Sequence, residues 1–320
     1  MPTAIASGAK IRTNIPAQNA YNALQQSSEA IAKHQLRLST GKRINAAADD
    51  VAGYITSRSL SARNGALRSA LISTGEAKNV TAIVQDSLDT INTLLTQIKD
   101  SAATASSGSL GTDEKVALAK GAYRLAQQIQ FTTDSTIFGG EQLLQGNFSG
   151  SWTIGYYANN NLLTIGIDMT TGNQDFNVES EDFDLNATEA ATNASGAGAV
   201  ATNFAGVTGL SLEALDDVSA SNLGIFADDQ IASTLTSLAD ALNNVNKVAS
   251  YVGGIHVRLN SQEELLNSQI VNYKAAISRI EDADVAQEQL GLIKQQFLQQ
   301  TSLISLAQAN QNPQSYLQLF

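Results

Sequence analysis

Apolar residues recur every seven positions near both ends of the chain. Stretches 13–28 and 295–320 around these repeats contain no charged side chain. The spacing predicts helices that each carry one apolar seam between faces of amides and hydroxyls. Such helices are too polar to span a membrane and too weakly apolar to be stable alone, so we expect them to need partner helices. The predicted assembly seam comprises Leu24, Ile31, Leu38, Leu290, Ile293, Phe297 and Ile304.

Helical periodicity extends well beyond the two ends. It runs from Ala46 to about Ser106, and a Gly/Ser-rich stretch at 107–111 then interrupts it. Thr112 is predicted to cap a further helix, because two acids follow it. The helical pattern returns at Ala227 and continues towards the uncharged tail.

The middle of the chain has a different period. Trp152, Ile154 and Tyr156 alternate with small or polar residues, and a similar run at 163–169 follows an Asn-rich stretch. Two alternating runs around a turn predict a β-hairpin near 151–169. Residues 170–222 have little periodicity, which predicts loops or a small irregular insertion.

The predicted fold class is therefore mainly α. We expect a long antiparallel helical rod with terminal coiled-coil helices, a β-hairpin and a small irregular outer insertion. A 60-residue helix is about 90 Å long, which is why a rod is expected.

Charge and composition exclude several functions. The chain has 320 residues and a net charge of −11, and the segment between Leu125 and Asn246 has 15 acids and no basic residue. This distribution argues against nucleic-acid binding. No cysteine is present, which excludes disulfides and thiolate chemistry. We find no secretory signal and no run of about 20 apolar residues, so no membrane partner is expected.

Catalytic patterns are missing. The only histidines, His34 and His256, lie outside any metal-ligand spacing and are expected at the surface. Asp49 and Asp50 are expected to be acids near a helix start. We therefore predict no catalytic, cofactor-binding or metal-binding residue, no cofactor and no enzymatic activity.

Two stretches resemble the bacterial flagellin family. Residues 38–53 (LSTGKRINAAADDVAG) are similar to its N-terminal signature, and residues 278–286 (SRIEDADVA) to its C-terminal one; the tail at 298–317 also resembles flagellin endings. Both signatures occur at the expected distance from their terminus. The residues assigned to them are Arg43, Asn45, Asp49, Asp50, Arg279, Ile280, Asp282 and Asp284.

The resemblance implies a domain arrangement. Residues 1–45 and 281–320 would form an inner-tube coiled-coil domain. Residues 46–174 and 222–280 would form an outer-tube helical domain that includes the hairpin, and 175–221 would be a small variable surface insertion. Because this insertion is short, we expect a comparatively smooth filament.

The resemblance also implies a function and partners. The chain would be the structural subunit that polymerises into the extracellular flagellar filament for motility. Its ends would be disordered in the monomer and fold on assembly. Partners would be other copies of itself, an export chaperone of a type III apparatus, and hook-associated junction and cap proteins. Gln97 and Ser101 replace the family's typical arginine and leucine, so only weak contact with the innate immune receptor for flagellins is expected.

Two alternative functions remain open from the sequence. A hook–filament junction protein shares the terminal helices, although the C-terminal signature favours the filament subunit. A surface homologue that acts as an adhesin or glycan-binding protein would need an aromatic platform, for which Trp152, Tyr156 and Tyr157 are the candidates.

Overall fold

A computed structural model describes residues 13–156, 162–187 and 203–317. Five long helices contain most of these residues: α1 (Ile15–Thr40), α2 (Val51–Ala105), α3 (Thr112–Ser135), α4 (Ile231–Glu281) and α5 (Val285–Leu317). The predicted mainly-α class, with a hairpin and a small insertion, is confirmed.

The strands form three antiparallel pairs in the described part of the chain. These pairs are β1 (Ile137–Phe138) with β2 (Glu141–Gln142), β3 (Ser149–Tyr156) with β4 (Leu162–Asp168), and β5 (Asn203–Phe204) with β6 (Val207–Thr208). The β3–β4 pair is the predicted hairpin, and its inward positions Ile154, Ile165 and Ile167 are buried. The predicted Asn-rich turn at 158–161 lies outside the described residues.

Three helix starts differ from the predictions. Helix α2 begins at Val51 rather than Ala46, because the Asp49 carboxylate accepts hydrogen bonds from the backbone N–H groups of Asn45 and Ala46. These bonds hold a turn instead of a first helical turn. Helix α3 is capped by Gly111 rather than Thr112, and α4 begins at Ile231 rather than Ala227.

Contacts divide the chain into two compact units. One contains the described residues up to Gly65 together with those from Ile270 onward, and the other contains Ala66–Gln269. The predicted boundaries at 45 and 281 separate inner-tube from outer-tube residues in the filament, which is a different division from these compact units, and they remain a prediction.

The unit Ala66–Gln269 has a continuous apolar core. Helix α2 contributes Val84, Leu88, Ile91, Leu95 and Ile98, and α4 contributes Leu238, Val245, Val252 and Leu259, all at most 1% exposed. Helix α3 contributes alanines at 119, 122 and 126. Small side chains let a helix approach its neighbours closely, so α3 can pack tightly against this core.

The insertion at 175–221 takes part in the same core. It consists of short 3-10 turns and the β5–β6 pair, as expected of an irregular segment. Its apolar side chains are nevertheless buried in the core cluster: Val178, Phe183, Leu185, Phe204, Leu210, Leu212, Leu215 and Val218. The described part of the insertion is therefore a packed element of the unit.

Helix α4 is shaped to receive this insertion. The ring of Phe176 lies so close to Gly254 that a Cβ there would come within 2.6 Å of the ring. Phe176 and Phe183 both meet Tyr251 edge-on, with ring centroids 5.7 and 5.8 Å away. A glycine inside a helix costs about 1 kcal/mol relative to alanine, so close approach of the insertion explains its presence.

Replacing Phe183 with alanine tests whether the insertion supports the fold. Its side chain is 2% exposed, and removal of a buried phenylalanine costs about 3–5 kcal/mol. We expect Phe183→Ala to lower the free energy of unfolding by that amount in urea titrations. The exposed neighbour Glu181 offers a matched control, because Glu181→Ala should change stability by less than about 0.5 kcal/mol. Equal stability of the two variants would contradict a packed insertion.

Candidate functional site

Helices α1 and α5 form an antiparallel pair within the first unit. Asn14 caps α1, accepting a 3.0 Å hydrogen bond from the Ala17 N–H, and donates from Nδ2 to the Ala309 carbonyl at 2.8 Å. Further along, the Gln299 amide donates to the Ser28 hydroxyl at 3.1 Å. The C-terminal end of α1 is joined to α5 by Arg37 and Glu288.

The contact between these two helices follows a heptad spacing. The less exposed positions of α1 include Ala20, Leu24, Ser27, Ile31, His34 and Leu38. Those of α5 include Glu288, Leu292, Gln295, Gln299, Ser302, Leu306 and Ala309. Both series step by three and four residues, as a coiled coil does. On the α5 side, most of these positions are polar or small.

The seam residues predicted from the sequence lie on two different surfaces. Leu24, Ile31 and Leu38 are half-buried on the face of α1 that follows this spacing. By contrast, Leu290, Ile293, Phe297 and Ile304 are 71, 57, 69 and 71% exposed. The structure therefore does not bring the two predicted repeats together. We call the four exposed α5 residues the apolar stripe.

A charged cluster lies within the α1–α5 pair. Glu288, only 8% exposed, accepts a hydrogen bond from Arg37 Nη1 at 3.0 Å on Oε1, and its Oε2 lies 2.5 Å from His34 Nδ1. Burial raises the pKa of Glu288, but hydrogen bonds from His34 and Arg37 outweigh this effect and hold it below its usual value. Arg37 Nε is buried and has no hydrogen-bond partner among the described residues. Glu288 is therefore anchored as a carboxylate between two α1 side chains.

Neither histidine is the exposed surface residue that the sequence predicted. The His34 side chain is 22% exposed, and His256 Nδ1 lies 2.9 Å from the Thr81 hydroxyl. Sequence reasoning also missed Arg37 and Glu288. The sequence feature that could have identified them is a pair of opposite charges, each within about 10 residues of one of the two signatures.

The two family signatures meet where α1 ends and α5 begins. Gly41 ends α1 in the left-handed region, with φ at 69°, and its carbonyl accepts from the Ala283 N–H at 2.9 Å. The Arg43 N–H donates to the Glu281 carbonyl at 2.7 Å. Between these two bonds, Lys42 pairs with Asp282 in an antiparallel bridge. A short stretch of paired backbone therefore fixes the junction, together with the 2.7 Å ion pair of Lys42 with Glu281.

Side chains of the N-terminal signature hold the turn before α2. Asp49 accepts hydrogen bonds from the N–H groups of Asn45 and Ala46 and forms a 3.0 Å ion pair with Lys33. The bond from Lys33 and the two backbone bonds lower the pKa of Asp49 to about 2. Asp50 accepts a hydrogen bond from the Gly53 N–H and so caps α2.

Other signature residues have simpler positions. Arg43 donates from Nη2 to the Ile280 carbonyl at 2.7 Å, and Asp284 caps α5 by accepting from the N–H groups of residues 286 and 287. Ile280 is half-buried, and the Arg279 and Asp282 side chains are exposed. In the described ranges, no three histidine or acidic side chains cluster as metal ligands, and no helix has the length and hydropathy of a membrane span.

Comparisons with known proteins match both ends and nearly the whole length. The family model for the bacterial flagellin N-terminal helical region matches residues 11–149, and that for the C-terminal helical region matches 235–320. The chain is 28% identical to a flagellin of Bacillus subtilis over 318 residues, covering 97% of this chain and 99% of that protein. It is 25% identical to a flagellin of Listeria monocytogenes over 310 residues (97% and 99%), and 25% to flagellin C of Vibrio anguillarum over 372 residues (97% and 98%).

The pKa of Asp49 gives a pH-dependent test of the junction. A carboxyl whose pKa is lowered by folding adds stability that is complete above its unfolded pKa, here 3.8, and is lost as pH falls towards about 2. We expect Asp49→Asn to be less stable than the parent at pH 6, with the difference shrinking between pH 4 and pH 2 in denaturant titrations. Asp282→Asn is the matched control, because the Asp282 side chain is exposed. A difference that stays constant down to pH 2 would contradict the assigned role of Asp49.

Proposed function

Because the chain belongs to the bacterial flagellin family and is a structural subunit of the flagellar filament, we propose that its α1–α5 pair is the element through which copies assemble. In this proposal, residues 1–45 and 281–320 form the inner tube of the filament. Residues 46–174 and 222–280 form the outer tube, and 175–221 lie on the outer surface. The filament is an extracellular part of the flagellum, and the proposed use of its polymerisation is motility.

The observation that carries the proposal is the apolar stripe on α5. With 3.6 residues per turn, Phe297 and Ile304 lie on the side of the helix opposite Gln295 and Gln299, which lie among the half-buried positions. Burying an aliphatic or aromatic side chain stabilises by roughly 1.5–3 kcal/mol. The four stripe residues together therefore offer roughly 6–12 kcal/mol per copy, before the entropic cost of association.

The same arrangement supports ordering of the ends on assembly. Leu24, Ile31 and Leu38 of α1 face mainly polar or small positions of α5, such as Gln299 and Ser302, and stay only half-buried, so the pair buries little apolar surface of its own. Fixing each backbone residue costs about 1–2 kcal/mol, which such an interface offsets poorly. The stripe contributes only when another copy covers it, so the terminal helices gain their stability in the polymer.

The proposed partners beyond other copies follow the family. They are an export chaperone, a type III apparatus that passes the chain unfolded, and hook-associated junction and cap proteins. An exposed apolar stripe needs cover before assembly, which supports the chaperone. The proposal includes no catalytic role.

The two alternative functions find less support. The family matches do not favour a hook–filament junction protein or an adhesin. An adhesin that uses Trp152 as a sugar platform is disfavoured further, because this ring is half-buried and lies 6.2 Å from the ring of Phe148. The side chains of Tyr156 and Tyr157 lie outside the described residues.

Placing a charge on the stripe tests the assembly role. Phe297→Asp would bury an unpaired carboxylate in the polymer, which costs several kcal/mol. We expect seeded polymerisation, followed by light scattering and electron microscopy, to fail or to need at least about tenfold more protein. Gln296→Asp is the matched control, since this exposed neighbour lies outside the stripe, and it should polymerise. Deletion of 303–320 should likewise leave a folded monomer without filaments; normal filaments from Phe297→Asp or from the deletion would sink the proposal.

Replacement of the family's typical arginine predicts weak activation of the innate immune receptor. Gln97 is exposed on α2 and Ser101 is half-buried one turn later. A charge-assisted hydrogen bond contributes about 1.5–3 kcal/mol, so its loss weakens binding by about tenfold or more. We expect reporter cells to respond about tenfold less to this protein than to a flagellin with the motif, and Gln97→Arg with Ser101→Leu to recover response. Full potency of the unaltered chain would refute this expectation.

A further inference from the structure

The α1 repeat cannot by itself fix how α1 pairs with α5. Leu24, Ile31 and Leu38 are nearly equivalent side chains seven residues apart, so sliding the helix by one heptad replaces each with a close analogue. Much of the α5 face is equally permissive, because small or uncharged residues such as Gln299, Ser302 and Ala309 follow one another. The backbone bonds between residues 41–43 and 281–283 hold one end of the pair, and beyond them a side-chain feature has to distinguish the observed register from a slipped one.

Gly291 and His34 supply an asymmetric fit. Gly291 is the only glycine in α5, and a Cβ on it would lie 2.6 Å from His34 Cε1 and 3.0 Å from Nε2. The imidazole ring therefore occupies space that any other residue at 291 would fill. One turn earlier on the same face, the Glu288 carboxylate is hydrogen-bonded to His34 and Arg37.

A slip of one heptad in either direction would lose the glycine, and a slip towards the C-terminal end of α5 would lose the carboxylate as well. If His34 moved seven residues along α5, Leu298 would take the place of Gly291 beneath its ring, and Gln295 would take the place of Glu288. Arg37 would then face no carboxylate. A slip in the other direction would place His34 against Glu281 and Asp284, which lie outside α5.

We propose that His34, Arg37, Glu288 and Gly291 form a register key that selects one alignment of α1 on α5. A polar or charged group at one seam position specifies register at some cost in stability, and the four residues act here as positioning residues. The key deepens the proposed function, because neighbouring copies can meet a uniform stripe only if every copy has the same register. Disulfide trapping within one chain reports the register separately from filament formation, because oxidation captures a paired state even where that state forms only transiently.

Cysteine pairs can report the register, since the chain has no cysteine of its own. Ser28→Cys with Gln299→Cys joins positions whose side chains are hydrogen-bonded, and so detects the observed register. Ser28→Cys with Leu306→Cys detects the one-heptad slip. Both pairs would be oxidised in the full chain, in seeded filaments and in the unpolymerised protein. Only the disulfide within one chain, separated on a non-reducing gel from linked chains, would be counted.

We expect the in-register disulfide to exceed the slipped one by at least about tenfold in the parent chain. Glu288→Gln and His34→Ala should each lower this ratio by about threefold or more, and Gly291→Leu should lower it further. Gly291→Ala should lower the ratio when it is introduced into the parent chain. Added to His34→Ala, it should cause no further decrease, because alanine at 34 leaves free the space that the methyl group at 291 needs. Gln295→Ala, on the same face outside the key, should leave the ratio unchanged.

The outcomes separate the two proposals. An unchanged ratio in both Glu288→Gln and His34→Ala would overturn the register key, even if Gly291→Leu prevented either disulfide from forming. A lowered ratio in these variants would support it, even if the parent chain failed to polymerise. Failure of the proposed assembly role would be seen instead as normal filaments from Phe297→Asp.

Discussion

The pairing of α1 with α5 is the interaction on which the proposed assembly of the subunit depends. Its interior contains Ser27, Gln299 and a buried Glu288, whereas Phe297 and Ile304 on the outer side of α5 remain exposed. On α5 this arrangement reverses the usual distribution of a folded domain, in which the apolar face turns inward, whereas α1 turns its apolar Leu24, Ile31 and Leu38 towards the pair. A pair built this way brings its two helices together without completing their burial. Complete burial of Phe297 and Ile304 requires another surface, and in our proposal that surface is another copy of the subunit.

The unit Ala66–Gln269 has the opposite design. Leu88, Ile91 and Leu95 on α2 are essentially inaccessible, and Phe183, Phe204 and Leu215 of the insertion join them in one cluster. This burial belongs to a single chain and needs no neighbour. The contrast suggests a separate source of stability for each unit: the unit Ala66–Gln269 obtains it by folding, and in our proposal the α1–α5 pair obtains it by association. A shared fold class therefore conceals two different physical requirements.

Much of this architecture could be predicted from periodicity. The heptads of α1 and α2 and the alternation at Ile165 and Ile167 are local patterns that packing follows directly. The charged cluster could not be predicted in this way, because His34 and Glu288 are 254 residues apart and each is unremarkable in its own sequence context. The same reason explains the stripe: periodicity identified Leu290 and Phe297 as a seam but could not show that α1 would meet the opposite, polar face of α5. Which face of α5 is buried, and which charges meet, depends on pairing between segments that are distant in the sequence.

The signature residues illustrate a second kind of limit. Asp49, Asp50 and Asp284 act on backbone N–H groups, and the junction is held by backbone bonds of Gly41, Arg43 and residues 281–283. Asp49 and Asp50 are adjacent acids, but both accept hydrogen bonds from backbone N–H groups and so have a structural role. Capping ends one helix and starts the next within a few residues, which forces the chain to turn at a defined place. Because α1 ends and α5 begins at this junction, its backbone bonds hold that end of the pair, and the His34–Glu288 contact about two turns away keeps the same alignment along the helices.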